Sequence, residues 1–367
     1  MNTYGTGKLG IAEGIALVFS LVIPRLFLSG LSNVLQESGQ LLWLSMIIYT
    51  IIPLVVFYMM VYVHNNISGD IVAVCEQLVG KLGSWVIIVA YIGMFLGNSA
   101  LILRQYAEYT LTTALPEVEF QLVIIWYTVS IGIICYLGIE ALCRSAYIVL
   151  PIVLGGLAVV FVLLAPYYVV YNLTPWQGNG IMVAIRIGIN DVGFNLGILS
   201  LIFLSSAFQN TKTIKIIALY VTGGAVMLRI VFTLVYTMVF GVEAGAEKAM
   251  PFFEMARLVY LNEYFQRIEA LFIVVWVISG LLSIAGFLFI GLYLIAFLLK
   301  LPTLRPIVPL GIVIIANLAM LPPDIGYAVQ VDQLIVQLSK IGIYVFPVVL
   351  LFMTFVKKRR KKTCTAS

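Results

Sequence analysis

Residues 186–197 read RIGINDVGFNLG: two charges, two asparagines and three glycines within twelve residues, set between long apolar stretches. Arg186 and Asp191 are five residues apart, which is poor spacing for an ion pair on one helix face, where i,i+3 or i,i+4 is needed. A break at residues 188–193 would relax that geometry, because Gly188, Gly193 and Gly197 lower the barrier to unwinding and free backbone groups for a ligand. A half-helix beginning after the break would point N–H groups at a carboxylate. Unwound carbonyls or Asp191 would then face an ammonium. The chemistry this suggests is reversible binding of a small zwitterion. A plainer alternative stays open: Gly193 and Gly197, spaced as Gly-x-x-x-Gly, let another helix approach, with Asn190 and Asn195 bonding between helices and Arg186 snorkelling to the external interface.

The elements that would hold these residues are membrane helices. Of the 367 residues, 62% are hydrophobic and only 10% charged, and the mean hydropathy is +1.11. A soluble domain averages about 25% charged. Apolar windows of about 20 residues, separated by short polar stretches, suit helices crossing a hydrocarbon core of about 30 Å and are too long for barrel strands. The reading is an all-α polytopic membrane protein with ten spans, near 9–33, 41–63, 84–106, 120–138, 145–165, 180–208, 214–240, 268–298, 305–322 and 338–356. The first window lacks a small-residue cleavage site and reads as a retained span. Residues 68–83 and 250–266 are too polar to cross, have apolar residues at helical spacing, and read as surface helices along the interface. In a membrane, Arg186 and Asp191 would together cost roughly 5–7 kcal/mol unless they pair or meet water. Arg229 in the seventh span is equally costly, and its partner could be Asp191 or Glu13.

Ten spans divide into a first five-helix repeat (1–165), an external connecting loop (166–179), a second repeat (180–356) and a basic cytoplasmic tail (357–367). Five is odd, so the second half enters from the opposite side, as in the 5+5 inverted repeats of many secondary transporters, whose helices 1 and 6 are broken. Span 6 meets that expectation. In span 1, Pro24 frees a carbonyl beside Arg25, so a break near residues 19–23 is expected. Gly97, Asn98 and Ser99 in span 3, and Ser279, Ser283 and Gly286 in span 8, serve either as packing contacts or as the lining of a site.

Orientation follows from the loops, since cytoplasmic loops retain Lys and Arg. One face holds thirteen of the 21 basic residues, among them Lys81, Arg144, Lys212, Lys300 and the run from Lys357 to Lys362, against five on the other face. Both termini are therefore expected to be cytoplasmic. Four cysteines without ligand spacing and one histidine, His64, exclude the usual zinc and haem patterns. With no P-loop, nucleotide fingerprint or nucleophile elbow, the chain reads as a non-enzyme without cofactor or nucleic-acid partner.

Several stretches resemble the B subunits of endospore nutrient-germinant receptors, the spore germination permeases of the amino acid–polyamine–organocation superfamily. They are CEQLVGKLGSW (75–85), LRQYAEYTLTTALPEVEFQLV (103–123), GIEALCRSAYIVLPIVL (138–154) and residues 250–282, in which F-x-R-x-E-A-L-F-x-x-x-W is the most specific pattern. IPR at 23–25 is similar to the family's LPR. The chain departs from the family in having bulky ALVFSLVIPR where members show a Gly-x-Gly-like break. The resemblance implies a small nutrient, commonly an amino acid such as alanine, bound at mid-membrane between spans 1, 3, 6 and 8. Carried over by position, its contacts would be Ser20 and Leu21, then Gly97 and Asn98, then Asn190, Asp191, Gly193 and Phe194, and finally Ser279, Ser283 and Phe287. The resemblance also implies a sensor acting with an A subunit and a lipoprotein C subunit in the lipid of the inner spore membrane. The other readings are a proton- or sodium-coupled amino acid transporter, a ligand-gated channel, and a structural subunit with a vestigial site.

Overall fold

The computed structural model describes residues 9–28, 30–67, 69–191, 195–259 and 268–364, and these form helices and turns throughout. In chain order the helices are α1 (Ile11–Val22), α2 (Gly30–Ser38), α3 (Leu42–Asn66), α4 (Ile71–Thr113), α5 (Phe120–Leu137), α6 (Ile139–Leu163), α7 (Ile181–Asn190), α8 (Ser200–Phe203), α9 (Thr211–Ala246), α10 (Pro251–Arg257), α11 (Ile268–Leu298), α12 (Val308–Met320), α13 (Ile325–Lys340) and α14 (Phe346–Cys364). Among the described residues, seven helical stretches are long and apolar enough to cross a membrane by length and composition. The shorter apolar helices α1, α7 and α12 occupy the windows expected for spans 1, 6 and 9.

The centre of the bundle is the stretch 282–294 of α11, where Leu282, Ile284, Phe287, Leu288, Ile290 and Leu294 are buried, as in a helix with neighbours on all sides. It packs against α4, α5, α6 and α1. The outer surface carries Trp126, Ile148, Val162, Met227 and Phe352 exposed. An apolar rim of this kind marks a surface that meets lipid.

Both breaks follow from local chemistry. α1 ends at Val22, Pro24–Phe27 form a tight 3-10 turn, and Leu28 is extended before α2 begins. The interruption thus lies just after the stretch 19–23 where the sequence suggests it, and Ser20 and Leu21 remain helical. Proline at the first position of the turn is tolerated because its missing N–H would be unpaired there in any case. In span 6, α7 stops at Asn190, and residues 195–199 are non-helical before the single turn of α8. Gly188 itself stays helical. A Cβ there would lie 2.6 Å from the Ser45 carbonyl oxygen, and one on Gly197 would lie 2.7 Å from Val22. These two glycines allow close approach of neighbouring elements, and the helix stops between them at Asn190.

Three sequence expectations change. The polar stretch before span 10 is helical from Ile325 and, through a π-helical segment at Ile341–Val345, runs into α14, so the last helix starts well before residue 338. That helix also continues into the basic tail as far as Cys364. Of the two stretches read as surface helices, the first behaves as expected: Ile71, Val74, Cys75 and Leu78 face inward, Glu76 and Gln77 face out, and Gly80 at φ +78° turns the chain into the membrane part of α4. Of the second, residues 250–259 are described, and one face of this part is set into the bundle while Arg257 and Leu258 stay exposed. α10 sinks Phe252 and Met255 into the core, where the Phe252 ring meets Phe27 at 5.4 Å and Phe232 at 5.7 Å. Its approach is fixed by Tyr236, whose hydroxyl donates to the Gly245 carbonyl at 2.6 Å, and by Tyr109, which donates to Ala249 at 3.3 Å.

Candidate functional site

The two breaks and the N-terminal part of the last helix meet around a cavity. Its outer part, about 390 Å³, is a vestibule bounded by one face each of three helices. From α2 come Gly30, Asn33, Val34 and Glu37; from α7 and the residue that ends it, Ile187, Asn190 and Asp191; from α13, Val329, Asp332, Gln333, Val336, Gln337 and Lys340. The α2 and α13 sets recur at i, i+3, i+4 and i+7 and the α7 set at i, i+3 and i+4, the spacing of one helix face. A vestibule of this size accommodates a small amino acid.

Below it lies an inner pocket of about 40 Å³. The two parts share Gly30, Val34, Asp191 and Asp332, and the inner pocket adds Arg25, Met46, Tyr49 and Arg229. Arg25 leaves the α1 break and donates from Nη1 to both oxygens of Asp332, at 3.0 and 2.9 Å. Its Nη2 donates to Asn98 Oδ1, and Asn98 is oriented by donating from Nδ2 to the Met94 carbonyl at 3.0 Å. Gln105 Nε2 donates to Asp332 Oδ2 at 3.2 Å. The pair is nearly dry, with side-chain exposures of 5% and 10%. Removing one partner of such a pair leaves an uncompensated buried charge, a loss of about 3–5 kcal/mol. One guanidinium thereby ties spans 1, 3 and 10 together.

Arg229 on α9 is 1% exposed. Its guanidinium donates from Nη1 to Thr50 Oγ1 and from Nη2, at 3.5 Å, to the Val22 carbonyl, and it stacks over the Tyr49 ring at 4.4 Å. Among the described residues it has no carboxylate partner. Neither expected candidate pairs with it: Asp191 shares its pocket without an ion pair, and Glu13 caps α1 by accepting from Gly10 N at 2.7 Å.

Of the candidates read from the sequence, Asn190 and Asp191 line the cavity, and Asn98 reaches it through Arg25. The other candidates among the described residues sit in packed interior. Ser20 bonds back to the Ala16 carbonyl at 2.9 Å, and Ser279 to Trp276 at 2.8 Å. Leu21 fills the space beside Gly286 and Gly197, and Gly97 lets Ile335 approach. Phe287 stacks on Phe95 at 6.2 Å. Ser283 Oγ is buried with no hydrogen-bond partner among the described residues. Gly193 and Phe194 lie outside the described residues. The half-helix expected to receive a carboxylate is α8, a single turn of four residues that does not border the cavity. Arg186 is exposed on α7 and does not line the cavity either.

Sequence reading missed Asp332, Gln105, Tyr49 and Thr50 as contributors. For Asp332 a signal exists: residues 329, 332, 333, 336, 337 and 340 share one helical face, mostly polar, which a loop would not require.

A family model described as spore germination protein matches residues 8–327. Among solved structures, the chain is similar to MHP1, a nucleobase-cation-symport-1 family transporter in a closed conformation with bromovinylhydantoin bound. That match has a TM-score of 0.68 and 14% identity, and covers 92% of this chain and 77% of the other. It is also similar to MhsT in complex with L-phenylalanine, with a TM-score of 0.61, 15% identity, and 97% and 99% of the two chains covered. A variant of the Eremococcus coleocola manganese transporter gives a TM-score of 0.63 at 12% identity, with 95% and 82% covered. At these identities the likeness is one of fold. No curated protein matches significantly by sequence.

Proposed function

Since the chain belongs to the spore germination protein family and has the fold of membrane transporters, we propose that it is a nutrient sensor that binds a small amino acid in the cavity beside Asp191. The observation that carries this reading is the charge pattern of the cavity. Asp191 and Arg229, together with the paired Arg25 and Asp332, line a pocket that adjoins a vestibule of about 390 Å³. A zwitterion complements such a surface, because a buried charge of either sign is favourable only opposite its counterpart.

On this reading the vestibule faces the outside, both termini are cytoplasmic, and the ligand enters between α2, α7 and α13. Asn190 and Asp191 contact it directly. Ligand binding shifts an open–closed equilibrium only by its differential affinity for the two states, and a full reversal from 1:99 to 99:1 takes about 5.5 kcal/mol. A ligand of six heavy atoms, at a ceiling near 1.5 kcal/mol per atom, would commit most of its interaction energy to that. Partial shifts, amplified over many receptor copies acting with A and C subunits, suit so small a ligand better.

The related reading is a cation-coupled amino acid carrier, which the fold of the similar structures favours. Packing beneath the cavity speaks for the sensor: Leu21 occupies the gap beside Gly286, and Phe95 bridges Phe203 and Phe287. Proteoliposomes containing the purified chain separate the two with radiolabelled amino acids. Saturable binding without gradient-driven accumulation supports the sensor. Accumulation that follows a proton or sodium gradient supports the carrier, and absence of binding to any amino acid removes both.

A further inference from the structure

Among the described residues, Arg229 is a cation without a carboxylate partner. It cannot shed its proton under physiological conditions, and its planar fork offers five N–H donors. Two of these go to Thr50 Oγ1 and the Val22 carbonyl, both neutral acceptors, and the face of the guanidinium rests on Tyr49. The other basic groups near the cavity are already satisfied: Arg25 is committed to Asp332 and Asn98, and Lys340 at the rim donates to Gln337 Oε1 at 2.7 Å. Asp191, which borders the same inner pocket, lies beyond ion-pair reach of Arg229. A fully buried charge that meets only neutral dipoles among the described residues is an expensive arrangement for packing alone.

The volume beside it is large enough for a small anionic group. A water-sized group needs roughly 10–15 Å³ on the same measure, so the inner pocket of about 40 Å³ holds three such groups, the carbon and two oxygens of a carboxylate. The rest of an amino acid would lie toward Asp191 and the wider vestibule. Meanwhile the helix terminus expected to receive the carboxylate, that of α8, does not border the cavity.

We propose that Arg229 is the carboxylate anchor of the bound ligand, its guanidinium and the Tyr49 ring forming the floor of the inner pocket while Asp191 faces the ammonium at its mouth. This rests on the amino acid reading of the cavity and deepens it by naming the group that selects for a free carboxylate. Ligands with a blocked carboxyl, such as amino acid amides, are then rejected because they leave the Arg229 charge unanswered.

The test uses the purified full-length chain and thermal unfolding. Sodium acetate is compared with sodium chloride at equal ionic strength, and the best binder among the twenty L-amino acids with its own carboxamide. For the wild type, acetate raises the unfolding temperature above chloride, and the free acid binds at least tenfold more tightly than the amide. Arg229→Gln abolishes both differences. Arg229→Lys keeps the charge but loses the fork, and weakens acetate and amino acid binding about tenfold. Equal effects of acetate and chloride on the wild type overturn the anchor, as does an acetate effect that persists in Arg229→Gln. If Arg229→Gln does not survive purification, Arg229→Lys and the wild-type comparison of acid with amide decide, and equal affinity for the two rejects the proposal. An Arg229-dependent acetate effect with no response to any amino acid keeps the carboxylate site and rejects the amino acid reading. Amino acid binding undiminished in the variants does the reverse.

Discussion

Arg25 and Asp332 are 307 residues apart in the chain and 2.9 Å apart in space, one in the break of the first span and the other on the helix that leads into the last. Their pairing closes the ring of helices around the cavity. It follows that Arg25→Gln and Asp332→Asn each leave a buried polar network half satisfied and destabilise the protein by about 3–5 kcal/mol. The double variant Arg25→Met, Asp332→Leu removes both charges and recovers much of that loss. Thermal unfolding of the four proteins in one detergent checks this, and a double variant as unstable as the sum of the singles would speak against a coupled pair.

Gly188 lies in the tightest approach of α7 to α3, where an added Cβ falls 2.6 Å from the Ser45 carbonyl oxygen. Gly188→Ala should therefore push the helices apart, at a loss of about 1–3 kcal/mol, and weaken binding at neighbouring Asn190 and Asp191. Gly93→Ala is the control, since nothing lies within 4 Å of its Cβ position, and it should leave stability and binding unchanged.

Phe252 anchors α10 in a cluster with Phe27, Phe161 and Phe232. Phe252→Ala removes that anchor at about 3–5 kcal/mol. Limited proteolysis should then cut within residues 245–259 before the rest of the chain, whereas Phe252→Leu, which retains most of the volume, should resist. Equal resistance of the alanine variant would mean that α10 is held by other contacts.

Asn33 is exposed in the vestibule and Ser283 is buried on α11. Asn33→Cys should react with a membrane-impermeant maleimide added outside intact cells or right-side-out vesicles, and Ser283→Cys should not. Cys75, Cys135 and Cys143 are buried, and both variants are made on a Cys364→Ser background so that the tail thiol does not react. Labelling of Asn33→Cys only from the cytoplasmic side would reverse the orientation inferred from the basic loops.

The span pattern is readable in the sequence because a run of about 20 apolar residues has few other physical solutions. The break after Asn190 is readable for a related reason: charges, amides and glycines in hydrocarbon need an explanation, and unwinding supplies one. What escapes is partner choice over long distance. Nothing in the runs around Tyr49 or Thr50 marks them as neighbours of Arg229, and only the folded arrangement of α3 against α9 joins them. Asp332 was hidden differently, in a stretch whose mean polarity suggests a loop although its period is helical. α10 shows the opposite error, since its apolar face fits an interface or a protein core equally well, and composition does not distinguish the two.

The central claim is that the cavity bordered by Asp191 binds a small zwitterion, and isothermal titration of the twenty amino acids into wild-type and Asp191→Asn protein tests it most directly. The account predicts saturable binding of at least one small amino acid by the wild type, reduced at least tenfold by the loss of that single carboxylate while unfolding temperature is preserved. Identical affinities in the two proteins would contradict it, as would wild-type protein that binds none of the twenty.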